Sequence, residues 1–219
     1  MIETDGRRLK GDASRRLVLD RAVDLASVEG LDGLSIGRLA EAAHVSKSGV
    51  ATLFGSKERL QLAAIEAARL RFVASVIEPA RGEPRGIRRI VALLDGWIAY
   101  SRGRVFAGGC FFAATTAEFD SKPGPVRDAL AAAMGEWNGY IAASFGYAVA
   151  QGEVGADEDP EQFAFEATAL LDAANTRSLL GGSNLPYVFA RRALVARLRA
   201  AGADDALVAR LAEVDDLTA

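Results

Sequence analysis

Residues 35–60, SIGRLAEAAHVSKSGVATLFGSKERL, restrict what this chain can fold into more than any other stretch. Ile36, Leu39, Ala40 and Ala43 recur at the spacing of a helix with one buried face. The small side chain of Ala40 lets a second helix cross closely. His44 and Val45 form a turn, and Ser46 is placed to accept a hydrogen bond from the unpaired amides that open the next helix. On that helix Val50 and Phe54 repeat at i, i+4 and are expected to face inward. Lys47, Ser48, Gly49, Ala51, Thr52 and Leu53 remain outside, a small, polar and singly basic surface of a size to enter a major groove. Two short helices, a tight turn and a third helix capped by Ser56 make the layout of a helix-turn-helix.

The net charge of −3 looks wrong for a chain that meets nucleic acid, but its distribution removes the objection. Residues 7–60 carry ten Lys/Arg against seven Asp/Glu, whereas residues 61–219 carry sixteen against twenty. Arg7, Arg8, Lys10, Arg15 and Arg16 form a basic arm that either lies along phosphates or remains a solvated tail. One cysteine, Cys110, allows no disulfide within the chain. With a single histidine, His44, it also leaves too few ligands for structural zinc, which takes about four. Cys110 is expected to be a buried small hydrophobe rather than a redox switch. The acidic run Asp157-Glu158-Asp159 with Glu161 lacks the alternating ligands of a calcium loop and reads as a solvated helix start. No cofactor and no metal are expected. No run of about 18 apolar residues is present to span a bilayer, and Met1–Asp12 lacks the apolar segment of a signal peptide, so a cytoplasmic chain is expected.

The rest of the chain predicts helices and no strand. A first helix should run over 13–29, capped by Asp12, with Leu19, Ala22, Val23 and Ala26 on one stripe and Gly30 as its stop. A long helix should follow Ser56 as far as Pro79. Further helices are expected over 87–102, with Ile87, Ile90, Val91, Leu94, Trp97 and Ile98 on one face, over 110–119, and over 126–150 after Pro125. Asp159, Pro160 and Gln162 combine a cap, a first-turn proline and a side chain able to reach back, which opens a helix over 160–180 closed by Gly181-Gly182. Another should span 186–200, and Asp204 should cap a last one carrying Leu207, Leu211 and Val214. The class is therefore all-α: an N-terminal three-helix domain, 1–56 including the flexible basic arm, and a larger helical bundle, 57–219.

This pattern resembles the TetR family of bacterial transcriptional regulators. The similarity begins at Val18-Leu19-Asp20-Arg21-Ala22, passes Leu25, Glu29 and Gly30, and closes with Phe54-Gly55-Ser56-Lys57-Glu58-Arg59-Leu60. Three residues depart from it: His44 stands where the family usually has Gly, Ala51 where a Tyr is common, and Ala26 where an aromatic is usual. His adopts the left-handed conformation more readily than most residues, which keeps the turn available. Ala51 removes a side chain that relatives place against phosphate. The resemblance implies a homodimeric, ligand-responsive repressor that reads a palindromic operator in double-stranded DNA and is released by a small molecule.

DNA contacts are expected from Ser35, Lys47, Ser48, Gly49, Thr52, Leu53 and Lys57, with Ser35 and Lys57 meeting backbone from helix N-termini. An apolar or aromatic effector is expected among the aromatics of the middle third, where Trp97, Thr115, Thr116, Trp137, Tyr140 and Asn175 each join an apolar body to a hydrogen-bonding group; ordinary core packing is the competing reading for each. The resemblance places a dimer interface at roughly 160–180 and 186–200, where both helices are apolar over more than one face. Two other functions stand beside this one. A helical sensor or adaptor that has lost DNA binding is the first, prompted by His44 and Ala51. An enzyme is the second and weaker one, since no acid-base or nucleophilic set is present, and no catalytic residue is assigned.

Overall fold

A computed structural model of the chain describes residues 3–212, with side chains from residue 13 onward. The described residues are helical: α1 Glu3–Glu29, α2 Ile36–Ala42, α3 Lys47–Phe54, α4 Lys57–Phe72, a π-helical segment Val73–Ile77, α5 Glu78–Ala80, α6 Ile87–Arg102, α7 Phe111–Phe119, α8 Pro125–Ala150, α9 Pro160–Gly181, α10 Leu185–Ala200 and α11 Asp205–Ala212. A single bridge between Phe106 and Gly109 is the only β pairing among them. They contain no helix long and apolar enough to cross a membrane.

Local signals account for most of these boundaries. Asp159 Oδ1 accepts from the amides of Glu161 and Gln162, and Gly182 closes α9 in the left-handed conformation at φ 59°. Asp204 accepts from the amide of Ala206 at 2.7 Å and opens α11. Val214, expected on that helix, lies outside the described residues.

Three expectations about helix ends and caps are corrected. The first helix begins at Glu3, so Asp12 lies within it and is not its cap; a capping preference is local and does not forbid helix on its N-terminal side. The side chains of Arg7, Arg8 and Lys10 lie outside the described residues. Gln162 does not reach back to its cap but turns forward to Glu166 at 2.8 Å, where the acceptor is a charged carboxylate and gives the stronger bond. Pro79 does not end the long helix, which continues to Ala80 through the π segment. The wider turn there gives room where the proline ring would otherwise meet the carbonyl four residues back.

Two compact units result. The first comprises residues 1–71 and 106–131, the second 72–105 and 132–219. In the first, Val18, Ala22, Val23 and Ala26 of α1, Leu39 and Ala40 of α2, Val50 and Phe54 of α3, and Leu60 and Ala64 of α4 are buried. Ile36 departs from the expected stripe: it is 37% exposed, because the first residue of α2 precedes the turn that packs. Also in this unit, α7 packs along α1. Gly108 allows the close approach, since a Cβ there would lie 1.9 Å from the carbonyl oxygen of Ser27, and its amide donates to Ser27 Oγ at 2.9 Å.

In the second unit the expected face of α6 is buried throughout, from Ile87 to Ile98. Phe72 meets Tyr100 and Trp137 edge-on at 5.3 and 5.1 Å between ring centroids. Ser101 bonds to Asn175 and to the Tyr187 hydroxyl, both at 2.8 Å, tying α6 to α9 and α10.

Candidate nucleic-acid interface and effector unit

Both short helices of the first unit are seated by serines. Ser35 Oγ accepts from the Arg38 amide at 3.3 Å and Ser46 Oγ from the Gly49 amide at 3.0 Å, satisfying donors that would otherwise be orphaned at each start. The turn between them runs through His44 at φ 53°, the left-handed conformation expected of it. Val50 and Phe54 face inward, and Lys47, Ser48 and Thr52 are exposed. Gly49 and Leu53 are half-buried on the same helix. Val45, Ser46, Ser48, Gly49, Thr52 and Leu53 line a groove of about 590 Å3 with Gly11 and Ser14 of α1, walled by hydroxyl-bearing, glycine and apolar residues. Thr52 Oγ1 donates to the Ser48 carbonyl, so its lone pairs remain outward.

The cations around this surface divide by what they touch. Arg15 belongs to the expected basic arm, yet its guanidinium donates to the Leu53 carbonyl at 2.9 Å and lies 4.6 Å from the centre of the Phe54 ring. It neutralises the carboxyl end of α3 and fixes that helix against α1. Lys57 Nζ donates to the Asp32 carbonyl at 2.7 Å and sits 3.5 Å from its carboxylate. Arg38 pairs with Glu29. Lys47, by contrast, has no ion-pair partner among the described residues. Its stem crosses the first turn of α2, where a Cβ on Gly37 would come within 3.6 Å of its Cε.

Glu118 was not visible as a positioning residue. Its two oxygens accept from the amides of Leu31 and Asp32 at 2.7 and 2.9 Å, so α7 clamps the loop that leads from α1 into α2. Gly30, at φ 78°, is where that clamp requires no side chain: a Cβ would lie 2.6 Å from Glu118 Oε2. Lys122 closes the same corner, 2.9 Å from Asp32, and its ammonium holds the Asp32 carboxyl below its usual range.

The six expected effector residues are divided between the two units. Thr115 and Thr116 belong to the first unit and return their hydroxyls to the carbonyls of Phe111 and Phe112, one helical turn back. Trp97, Trp137, Tyr140 and Asn175 belong to the second unit. Trp97 and Trp137 are buried among the aromatics, and Asn175 is engaged by Ser101. Tyr140 lines a surface cleft. Beside Trp137, Asn138 Oδ1 is buried with no hydrogen-bond partner among the described residues, a polar group no periodicity pointed to.

On α9 and α10 the second apolar face is open. Phe165, Leu180 and Phe189 are 69, 84 and 55% exposed, and Leu179 and Leu185 accompany them. Asp172 lies in the same helical register as Phe165 and Thr176, and burial pushes its carboxyl up to about 6 from 3.8. The folded chain therefore binds that proton more tightly than the unfolded chain, and the contribution of Asp172 to stability falls as pH rises from about 4 to 6. Thermal unfolding followed across that window should show this decline in the wild type and a flatter profile in Asp172→Asn; equal slopes would refute the assignment.

With helices as the regular elements of its described residues, a capped helix-turn-helix in the first unit and a second helical unit, the protein has the architecture of a DNA-binding transcriptional regulator. Residues 18–64 match the family described as bacterial regulatory proteins, tetR family, and residues 86–194 match the tetracyclin repressor-like C-terminal domain. The chain belongs to the TetR family. Among solved structures it is similar to a TetR transcriptional regulator from Chloroflexus aurantiacus, at 27% identity over 84% of this chain and 93% of that one, TM-score 0.76. A TetR-family regulator from Rhodococcus sp. is 25% identical over 86% and 98%, TM-score 0.70. AibR, solved in complex with isovaleryl coenzyme A and operator DNA, shares the fold at 21% identity over 74% and 86%, TM-score 0.62. No curated protein matches the chain.

Proposed function

We propose that the protein is a homodimeric repressor that binds a palindromic operator through α3 of each subunit and is released by a small-molecule effector. The observation that carries this reading is the outward face of α3: Lys47, with no ion-pair partner among the described residues, stands beside the hydroxyl-bearing Ser48 and Thr52 on a helix held by Ser46 at one end and Arg15 at the other. Residues 1–56 are the reader and 57–219 the effector-binding and dimerising part. Two recognition helices roughly 34 to 36 Å apart fit successive major grooves on one face of DNA. Lys47, Ser48, Gly49, Thr52 and Leu53 meet bases or phosphates. Ser35 donates to phosphate, since its lone pair already serves Arg38, and Lys57 contributes less because Asp32 shares its charge.

The open apolar face of α9 and α10 supports dimerisation in the expected segments. Buried aromatics and the unpaired Asn138 oxygen in the second unit support an effector with an apolar body and a hydrogen-bond donor, since a buried acceptor without a partner costs roughly 1–3 kcal/mol. AibR, bound to an acyl-CoA and to operator DNA, illustrates that the fold accommodates both kinds of ligand. A differential effector affinity of about 1–3 kcal/mol between two conformations lowers DNA affinity roughly 5- to 150-fold.

Selection from a random DNA pool should recover a palindrome. On that site Lys47→Ala should lower affinity about tenfold at low salt and flatten the logarithmic salt dependence by about 0.9 for each phosphate that is no longer neutralised. Fluorescence anisotropy at several salt concentrations reads both. Failure to enrich any palindrome would leave the sensor or adaptor reading in its place.

A further inference from the structure

A second charged feature lies in the second unit, where residues 61–219 as a whole are acidic. Arg81, Arg85 and Arg89 face one side of α8, made by Tyr140, Ser144 and Tyr147, across a cleft of about 410 Å3. No carboxylate among the described residues lines it. Arg89 donates to the carbonyls of Glu83 at 2.7 Å and Arg81 at 3.3 Å, and Arg85 donates to the Tyr147 hydroxyl at 2.8 Å and lies 4.6 Å from the centre of its ring. All of these partners are neutral, so neither guanidinium has an ion-pair partner among the described residues. Arg81 has Glu78 at 2.5 Å, an exposed pair on one helical turn that another anion can replace. Nearby carboxylates are held elsewhere: Glu83 sits 3.5 Å from Arg210, and Glu153 accepts from the Ile87 amide at 2.8 Å.

Three like charges held around one concavity repel each other, and an anion entering it reverses the sign of that interaction. Guanidinium forks match phosphate oxygens in pairs, and the tyrosine rings offer a flat surface beside them. The volume falls in the range of small-molecule sites, about 300–1,000 Å3, and is far larger than one phosphate requires. We propose that this cleft binds a phosphorylated, nucleotide-sized small molecule, its phosphates on Arg81, Arg85 and Arg89 and its ring against Tyr140 and Tyr147.

ADP, inorganic pyrophosphate and adenosine titrated into the full chain by calorimetry at low salt test this. Direct binding is read without DNA, so the outcome is independent of operator recognition. ADP and pyrophosphate should bind saturably, one per chain, and adenosine at least about tenfold more weakly than ADP. Arg85→Ala and Arg81→Glu, both at exposed positions, should melt like the wild type and weaken ADP at least about tenfold each, with Lys47→Ala unchanged. No saturable binding of either phosphate compound below about 1 mM would overturn the proposal. So would ADP binding that survives both arginine substitutions and is lost in Lys47→Ala, because the anion would then occupy the DNA face.

Discussion

Phe165→Asp combined with Phe189→Asp should convert the protein to a monomer and lower its operator affinity at least about 100-fold, while the helical content of each chain is kept. Both side chains are more than half exposed in the single chain, so the fold does not depend on burying them. Burying a Phe fully contributes about 1.5–3 kcal/mol, and a two-fold interface counts each position twice. Placing a carboxylate there reverses that gain by leaving a desolvated charge. The loss on DNA follows from linkage: two half-site readers in one molecule gain an effective concentration worth about 10²–10⁴ in affinity, and separate monomers do not. Sedimentation at micromolar concentration gives the oligomeric state, and anisotropy on the selected palindrome gives the affinity. A variant that stays dimeric with wild-type affinity would move the interface to another face.

Glu118→Ala should destabilise the first unit by about 2–4 kcal/mol, since it removes two charge-assisted hydrogen bonds of about 1.5–3 kcal/mol each and water restores part of the loss at the exposed Asp32 amide. Glu118→Gln is the sharper variant. It fills the same space, but one arm becomes an NH2 group directed at a backbone donor, so it should recover well under half of the lost stability. Hydrogen exchange at the amides of Leu31 and Asp32 should rise in both variants, because that loop then opens without unfolding α1. DNA affinity should fall with it, since the loop seats α2. If Glu118→Gln is as stable as the wild type and those amides exchange no faster, packing and not hydrogen bonding holds the corner.

Much of the helix-turn-helix was legible because its signals are local. Ser46 to Gly49 and Asp159 to Glu161 are bonds across two or three residues, and the left-handed preference of His44 is a property of one residue. The corrections also have local causes. Gln162 had a carboxylate four residues on as an alternative to its own cap, and Ile36 occupied an apolar position one turn too early to be covered. The bonds from the Thr115 and Thr116 hydroxyls to the carbonyls one turn back are local in the same way.

Pairings distant in sequence had no such signal. Glu118 lies 87 residues from Leu31, and Arg15 lies 38 from Leu53. Nothing in the spacing of residues 81, 85 and 89 foretold that one face of α8 would bring two tyrosines beside them.

The sequence by itself determined most of the helix caps, though not those at Asp12 and Pro79, which helix faces are apolar, and that a second short helix follows the turn at His44. Those properties depend on hydrogen bonds and periodicities a few residues long. Only the tertiary structure decided which cations are committed and which remain available. Arg15, Lys57, Arg81, Arg85 and Lys47 are alike in composition, but a charge is neutralised by whatever lies within a few ångströms of it. Arg81 finds Glu78 on its own turn, but for Arg15, Lys57 and Arg85 that neighbour comes from another part of the chain, brought close by packing rather than by the order of residues.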